Sequence, residues 1–378
     1  MWDTGSEELA MKLRFNRAEM AEALRAVCGV AATRTPKPIL RCVRIDAKSD
    51  VVLLSATDLE VGLRFAVTQV EVDKQGSTLV VADTLLRIVS ECGDEVLSVE
   101  TSGQQLNIRG TGSHFKIVTQ DAAEFPPVPG MEGGPDFTIA HDRLRGLIEW
   151  TIFSSARESS RYAINGVYWE VKGETLTLAA TDGRRLSVAH SPIVPGANAA
   201  PPSIIVPIKT MQLLAKLPGD SDAPVGVKIS PNQIMLNLGG ILVSSVLVEG
   251  HFPRYQDVIP ADCNRIMEVD TTEFLGALKR AALLTNEESK GVRLALSEGN
   301  LTMSSRAPEQ GEATVSLPVR YNDESMDIGF NPVFLLDVLK VTHAERIKMG
   351  FKDANRPGVV RVGEEFVYVV MPVNLASA

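Results

Sequence analysis

Two aspartates, Asp58 and Asp182, close the same tripeptide, Ala56-Thr57-Asp58 and Ala180-Thr181-Asp182, placed 124 residues apart. Each follows an alternating apolar run, a position from which a carboxylate can act as a general base. At the third corresponding place the chain carries Ser304-Ser305-Arg306. A reaction that needs a carboxylate would not tolerate its loss in one copy of three, so turn and capping work is the better reading. The histidines, His114, His141, His190, His251 and His343, show no HxH or HExxH spacing. The cysteines, Cys28, Cys42, Cys92 and Cys263, stand far apart without a CxxC pair, as isolated thiols of a reducing cytoplasm do. Gly110-Thr111-Gly112-Ser113 has the composition of a phosphate cradle but lies between two alternating runs, where a hairpin turn is expected. With no GxSxG and no Walker A, the chain is expected to be no enzyme and to need neither cofactor nor metal.

Two segments are unusual without being catalytic. Thr181-Asp182-Gly183-Arg184-Arg185-Leu186 sets two arginines and a leucine beside a glycine turn; it is either an exposed hairpin end or a recognition surface. Phe366 to Leu375 stays apolar almost to the terminus, where chains usually fray. Phe366 to Val370 reads as a core strand, and Met371, Pro372 and Leu375 beyond it suit an exposed docking edge.

The elements that carry these segments recur. Phe125-Pro126-Pro127-Val128-Pro129 and Phe252-Pro253-Arg254-Tyr255 stand 127 residues apart, and proline-rich runs of this kind cannot join a central strand or a helix interior. Each repeat opens with an amphipathic helix. Asn16 and Glu19 precede a stripe of Met20, Leu24 and Val27; Leu144, Leu147, Ile148 and Ile152 form the second; Asp270 and Glu273 cap the third, with Phe274, Leu275 and Leu278 inward. A hairpin follows each: Val43 to Ala56 turning at Ser49-Asp50, Val167 to Ala180 turning at Gly173, and Val292 to Ser304 turning at Gly299-Asn300. A later helix is expected at Thr84 to Val89, Lys209 to Leu217 and Val333 to Val341, the last with Asn331 as cap and Pro332 in its first turn. Leu106 to Thr119 and Val359 to Met371 close with further strands. The expected division is an extension at 1–10 and three α+β modules at 11–135, 136–261 and 262–378, too long for solenoid units.

Composition is compatible with this. The chain of 378 residues is 44% hydrophobic and 22% charged with net charge −9, which argues against a generic nucleic-acid coat but not against a locally basic surface. No apolar run approaches membrane-spanning length. With Asp3, Glu7 and Glu8 and no basic stretch, the first ten residues are not expected to act as a signal peptide, and Met11 reads as an alternative start.

Over residues 11–375 the sequence resembles the bacterial DNA polymerase III β subunit family, the β sliding clamps. The marks are Pro38-Ile39-Leu40, Ala56 to Glu60, Asn165-Gly166-Val167, Ala180 to Leu186, Phe252-Pro253 with Tyr255, Asn286-Glu287, and Gly291 to Leu294. Pro308-Glu309-Gln310, Ile328 to Asn331, Leu336 to Leu339 and Tyr368 to Pro372 complete them in order. The resemblance implies an α+β fold of three repeated DNA-clamp domains, each with two helices packed on antiparallel sheets. Two chains would join head to tail into a six-domain ring around duplex DNA, without sequence readout. It implies a cytoplasmic processivity factor whose partners are double-stranded DNA, a second copy, the polymerase III α subunit, the clamp loader, other polymerases and mismatch-repair proteins. The protein partners would dock through linear motifs containing Leu and Phe. Their pocket is expected at Ile164, Thr181, Gly183, Arg185, Leu186, Pro253, Val258, Val369, Met371 and Pro372, with Asn331 and Phe334 at its edge. DNA contacts are expected at Arg34, Arg87, Arg157, Arg161, Lys209 and Lys290, and a dimer seam of Phe115 against Leu283 and Leu284. Arg184 departs from a common histidine, Asp257 from a common arginine, and Asn374 from an occasional basic residue. The alternative reading is a structural or ligand-binding oligomer that does not engage DNA.

Overall fold

The computed structural model describes residues 11–156, 164–197, 201–285, 291–307 and 310–374. These gather into two compact units. The first takes the described residues to 142 together with 194–197 and 212–247; the second takes the rest. Residues of the expected middle module therefore contribute to both.

In the first unit, α1 (Arg17–Cys28) begins where Asn16 accepts from the amides of Ala18 and Glu19. The capping box is only half made. The Glu19 carboxylate turns to the amides of Thr68 and Gln69 instead, and the Asn16 amide donates to the Gln69 carbonyl. Met20, Leu24 and Val27 are buried as expected, and α1 packs on α2 (Ala82–Glu91) and on strands Val52–Thr57 and Val61–Val67. A five-stranded antiparallel sheet runs Val70–Lys74, Lys12–Asn16, Val96–Ser102, Gln105–Gly110, Ser113–Val118. The Thr111-Gly112 pair is the expected hairpin turn, with Gly112 at φ +76°. Strand Ser113–Val118 is left as an edge, and it carries the exposed Phe115 and Val118.

A nine-stranded sheet completes this unit and joins the repeats by backbone bonds. Strand Ile241–Val246 pairs antiparallel with Val61–Val67, setting Ser245 opposite Val61 and Ser244 opposite Gly62. The helix expected to reach Leu217 stops earlier: α4 (Ile208–Leu214) ends in a turn from the Leu217 amide to the Leu214 carbonyl. Pro218 follows, and a residue before proline is driven out of the helical region.

The second unit repeats the plan. Its eight-stranded sheet pairs Arg185–Pro192 with the last strand, Phe366–Val370, in a register that sets Arg185 opposite Val370 and Leu186 opposite Val369. A four-stranded sheet runs Gly311–Pro318, Asn300–Ala307, Val292–Ser297, Met326–Phe330, with Gly311–Pro318 a free edge. α5 (Thr271–Ala281) is capped by Asp270, which accepts from the Glu273 amide, and packs on this sheet and on α6 (Pro332–Val341). Phe274 and Leu278 are buried; Leu275 is half-buried. α3 (His141–Thr151) ends one residue short of the expected stripe. The Thr151 hydroxyl donates back to the Leu147 carbonyl at 2.7 Å, and Ile152–Ser154 tightens into a 3-10 turn.

Candidate functional site

Strands Thr175–Thr181 and Arg185–Pro192 meet in a tight turn whose bonds are side chain to backbone. The Thr181 hydroxyl donates to the Arg185 carbonyl at 2.6 Å and accepts from the Gly183 amide at 3.0 Å. Asp182 Oδ1 accepts from the amides of Arg184 and Arg185. Gly183 sits at φ +86°, where a side chain is strained, so the turn favours glycine here. Asp182 thus does turn work, as its type and place suggested.

Arg185 fixes this turn to the rest of the unit. Its guanidinium bonds Asp182 Oδ2 at 3.0 Å, Asp337 Oδ2 on α6 at 2.8 Å and the Phe153 carbonyl at 2.7 Å. It also lies 4.6 Å from the centroid of Phe334 and 5.5 Å from that of Phe153. Burial pushes the Arg185 pKa down, but the Asp337 bond and the charges of Asp182 and Asp337 outweigh it and hold the group above its ordinary value.

Beside the turn lies an apolar groove lined by Ile164, Thr181, Gly183, Arg184, Arg185, Leu186, Pro253, Arg254, Tyr255, Val258, Val369 and Met371. Leu186 and Val369 are 3% exposed and form its floor; Met371 and Val258, 44% and 54% exposed, form its rim. Backbone register places these walls, because the Met371 amide donates to the Arg184 carbonyl at 2.9 Å directly past the paired strands. The linker is held over the sheet by aromatic contacts: Tyr168 stacks on Phe252 at 5.0 Å and meets Tyr255 edge-on. Burial and the Glu170 charge push the Tyr255 hydroxyl up to about 12.

Nine of the residues expected at the pocket therefore converge on one groove. Pro372 lines an adjoining polar cavity with Met371, Gly329 and Asn374. Asn331 caps α6 by accepting from the Val333 amide, and Phe334 supports Arg185. Arg184, Arg254 and Tyr255 line it without having been expected there. The signal for Arg184 was its place inside Thr181–Leu186, and for the other two adjacency to Pro253 in the linker.

The first unit holds a copy of the turn. Thr57 donates to the Val61 carbonyl at 2.9 Å, Asp58 Oδ1 accepts from the amides of Glu60 and Val61, and the Val246 amide donates to the Glu60 carbonyl at 2.9 Å. Leu59 stands at φ +81° in the place of Gly183, a strained conformation for a leucine. Gly62 stands in the place of Leu186, and Val128 fills the room that side chain would need. A Cβ on Gly62 would come within 2.8 Å of Val128 Cγ1 and 2.7 Å of Ser244 Oγ. Val128 is 4% exposed, and the Arg64 guanidinium bonds its carbonyl.

The remaining candidates are dispersed. Arg34 is exposed in the segment after α1, Arg87 is exposed on α2 in an ion pair with Asp83, and Lys209 is exposed at the start of α4. Arg157, Arg161 and Lys290 lie outside the described residues. Phe115 projects from the free edge of the first unit. Leu283, 75% exposed, and Leu284 sit in the 3-10 turn Ala282–Leu284, which packs on the free edge strand Gly311–Pro318 of the second. Among the described residues no group of three His, Cys, Asp or Glu could hold a metal ion, and no helix is long and apolar enough to cross a membrane.

Repeated α+β modules whose developed feature is an open apolar groove define a docking scaffold. Family models for the N-terminal, central and C-terminal domains of the DNA polymerase III β subunit match residues 11–129, 138–254 and 256–374. The chain is 33% identical over 368 residues to the β sliding clamp of Vibrio cholerae, covering 97% of this chain and all of that relative. A crystal structure of the Pseudomonas aeruginosa sliding clamp bound to griselimycin superposes with a TM-score of 0.90 at 33% identity, over 97% of this chain and 100% of that one. The Bacillus subtilis clamp gives 0.90 at 27% identity, covering 96% and 99%. The chain belongs to the DNA polymerase III β subunit family. It is a DNA sliding clamp, a non-catalytic processivity factor with three clamp domains of helices and antiparallel sheets.

Proposed function

We propose that this cytoplasmic clamp acts as a head-to-tail homodimeric ring that encircles duplex DNA and serves partners through the groove beside Thr181–Leu186. Its domains divide at 11–135, 136–261 and 262–378. The groove is the observation that carries the docking part: nine residues expected at the pocket, from separate sequence segments, are among those that line one apolar channel. The polymerase III α subunit, the clamp loader, other polymerases and mismatch-repair proteins would enter it with Leu and Phe anchors. Met371→Ala should weaken a Leu/Phe tail peptide by about 2 kcal/mol, the loss expected at a hot spot, without changing the oligomeric state. An unaltered titration would remove Met371 from the site.

Ring closure is supported by the two free edges, Ser113–Val118 with Phe115 and Gly311–Pro318 beside Leu283 and Leu284. An edge on one chain can be completed by the complementary edge of a second, and two such contacts close. DNA contacts are proposed at Arg34, Arg87, Arg157, Arg161, Lys209 and Lys290. The test of encirclement is topological. Loaded onto a nicked circle, the protein should stay through gel filtration at salt that screens phosphate contacts, and leave once the circle is cut. Equal retention on circular and linear DNA would refute the ring.

A further inference from the structure

Three arginines stand at the groove, and only one is committed. Arg185 is bound to Asp182, Asp337 and Phe153. Arg184 and Arg254 also line the groove, both exposed, and neither guanidinium has a hydrogen bond or ion pair among the described residues. The nearby carboxylates are engaged or turned elsewhere. Asp182 is held by Arg185 and two turn amides, Glu170 by Lys172 and the Tyr255 hydroxyl, and Asp257 does not line the groove. Arg184 is well anchored at its backbone, its amide bound to Asp182 and its carbonyl to the Met371 amide. Arg254 is fixed between Pro253 and the buried Tyr255. A chain of net charge −9 therefore keeps two uncompensated cations beside an apolar floor of Leu186 and Val369.

We infer that the groove selects linear segments whose apolar anchor is flanked by carboxylates, with Arg184 and Arg254 as the residues that set this preference. The inference rests on the groove being a partner-peptide site. Charge complementarity at an exposed rim mainly sets selectivity and association rate, while the apolar anchor supplies the base affinity. A phosphate chain would also suit two guanidinium groups, but it brings nothing to fill the apolar floor between them.

The test is a ladder of fluorescent peptides sharing one Leu-Phe anchor and differing only in flanks of Ser, Asp or Lys, titrated into the full-length protein at low and high salt. Two exposed ion pairs predict that the Asp-flanked peptide binds roughly tenfold tighter than the Ser-flanked one at low salt. The advantage should shrink as salt is raised. In the double variant Arg184→Glu, Arg254→Glu the order should invert, with Lys flanks now favoured. Because both side chains are exposed and unbonded among the described residues, the variant should move Asp- and Lys-flanked binding in opposite directions and Ser-flanked binding by less than either, a pattern that a damaged groove would not give. If the Ser-flanked peptide binds but flank charge makes no difference, the inference fails and the groove reading stands. If no peptide binds, the groove reading fails and takes the inference with it. A double variant that loses affinity for a short DNA duplex, while the peptide ladder is unaltered, would assign the arginines to phosphates and overturn the inference.

Discussion

Arg185→Ala separates two roles that sequence resemblance merges. Resemblance makes Arg185 a pocket residue; the structure makes it the post that holds the pocket wall. Removing one partner of a buried ion pair costs about 3–5 kcal/mol. The Asp182 and Asp337 side chains are 20% and 23% exposed, so water can reach them once the guanidinium is gone. Asp337 keeps Lys340 at 3.4 Å and Asp182 keeps its two turn amides. The lower end of that range, about 3 kcal/mol, is therefore the working figure. The loss should concentrate in the turn, because two of the three bonds tie it to α6 and to the Phe153 carbonyl. Amide hydrogen exchange reads such local opening directly, and about 3 kcal/mol corresponds to about a hundredfold faster exchange for the amides of residues 183–186. Arg185→Lys keeps the charge but not the fork, and should fall between wild type and Ala. Exchange unchanged within a factor of about three, together with lost peptide affinity, would refute the reasoning. Arg185 would then be a direct peptide contact.

Leu59→Asn should stabilise the first unit by about 1 kcal/mol, since asparagine tolerates the left-handed conformation that leucine resists. Differential scanning calorimetry should show a rise of about 2–4 °C, and no rise would mean that Leu59 is unstrained. Changing Leu283 to Ala and Leu284 to Lys together should yield a folded monomer, because the turn lies outside the core; sedimentation equilibrium showing a dimer would remove both from the seam. Cys28 is pushed up to about 11 by burial and by the Asp83 charge. Native protein at pH 8 should accordingly leave this thiol unreacted with iodoacetamide while unfolded chain reacts. The unfolded thiol releases its proton from its ordinary pKa of 9.0 upward and the native one only near 11, so Cys28 makes stability fall as pH rises through that window. Rapid native labelling of Cys28 at pH 8 would contradict the burial.

Local chemistry was the legible part of this chain. The Thr-Asp turns, the Asn16, Asp270 and Asn331 caps and the three hairpins depend on neighbours within a few residues, and all form. What distant segments do to one another was not legible. Nothing local announces that Ile241–Val246 adds to Val61–Val67, or Phe366–Val370 to Arg185–Pro192, because strand pairing across repeats is decided by burial of whole faces. Glu19 stands three residues past Asn16, where a capping-box acid would, but answers Thr68 and Gln69, some fifty positions away. Arg184 and Arg185 look alike as neighbours. The tight turn leaves Arg184 to solvent, while Arg185, the first residue of the strand that follows, is set between two carboxylates and two rings.

The packing of Val128 over Gly62 bears on how partners share the clamp. Both units carry the same hydrogen-bonded turn and the same strand addition, so the architecture has made the frame of the groove twice. In the first unit, a valine from the chain's own linker already sits where a guest's anchor would need space, and no leucine wall stands behind it. The second frame is the vacant one. Among the described residues the proposed ring then offers this type of berth once per protomer, twice per assembly, so replication and repair factors using it must queue. Occupancy follows from their relative concentrations and dwell times. A low-affinity, fast-leaving motif becomes an advantage under that rule, since a tight one would turn a shared platform into a private one.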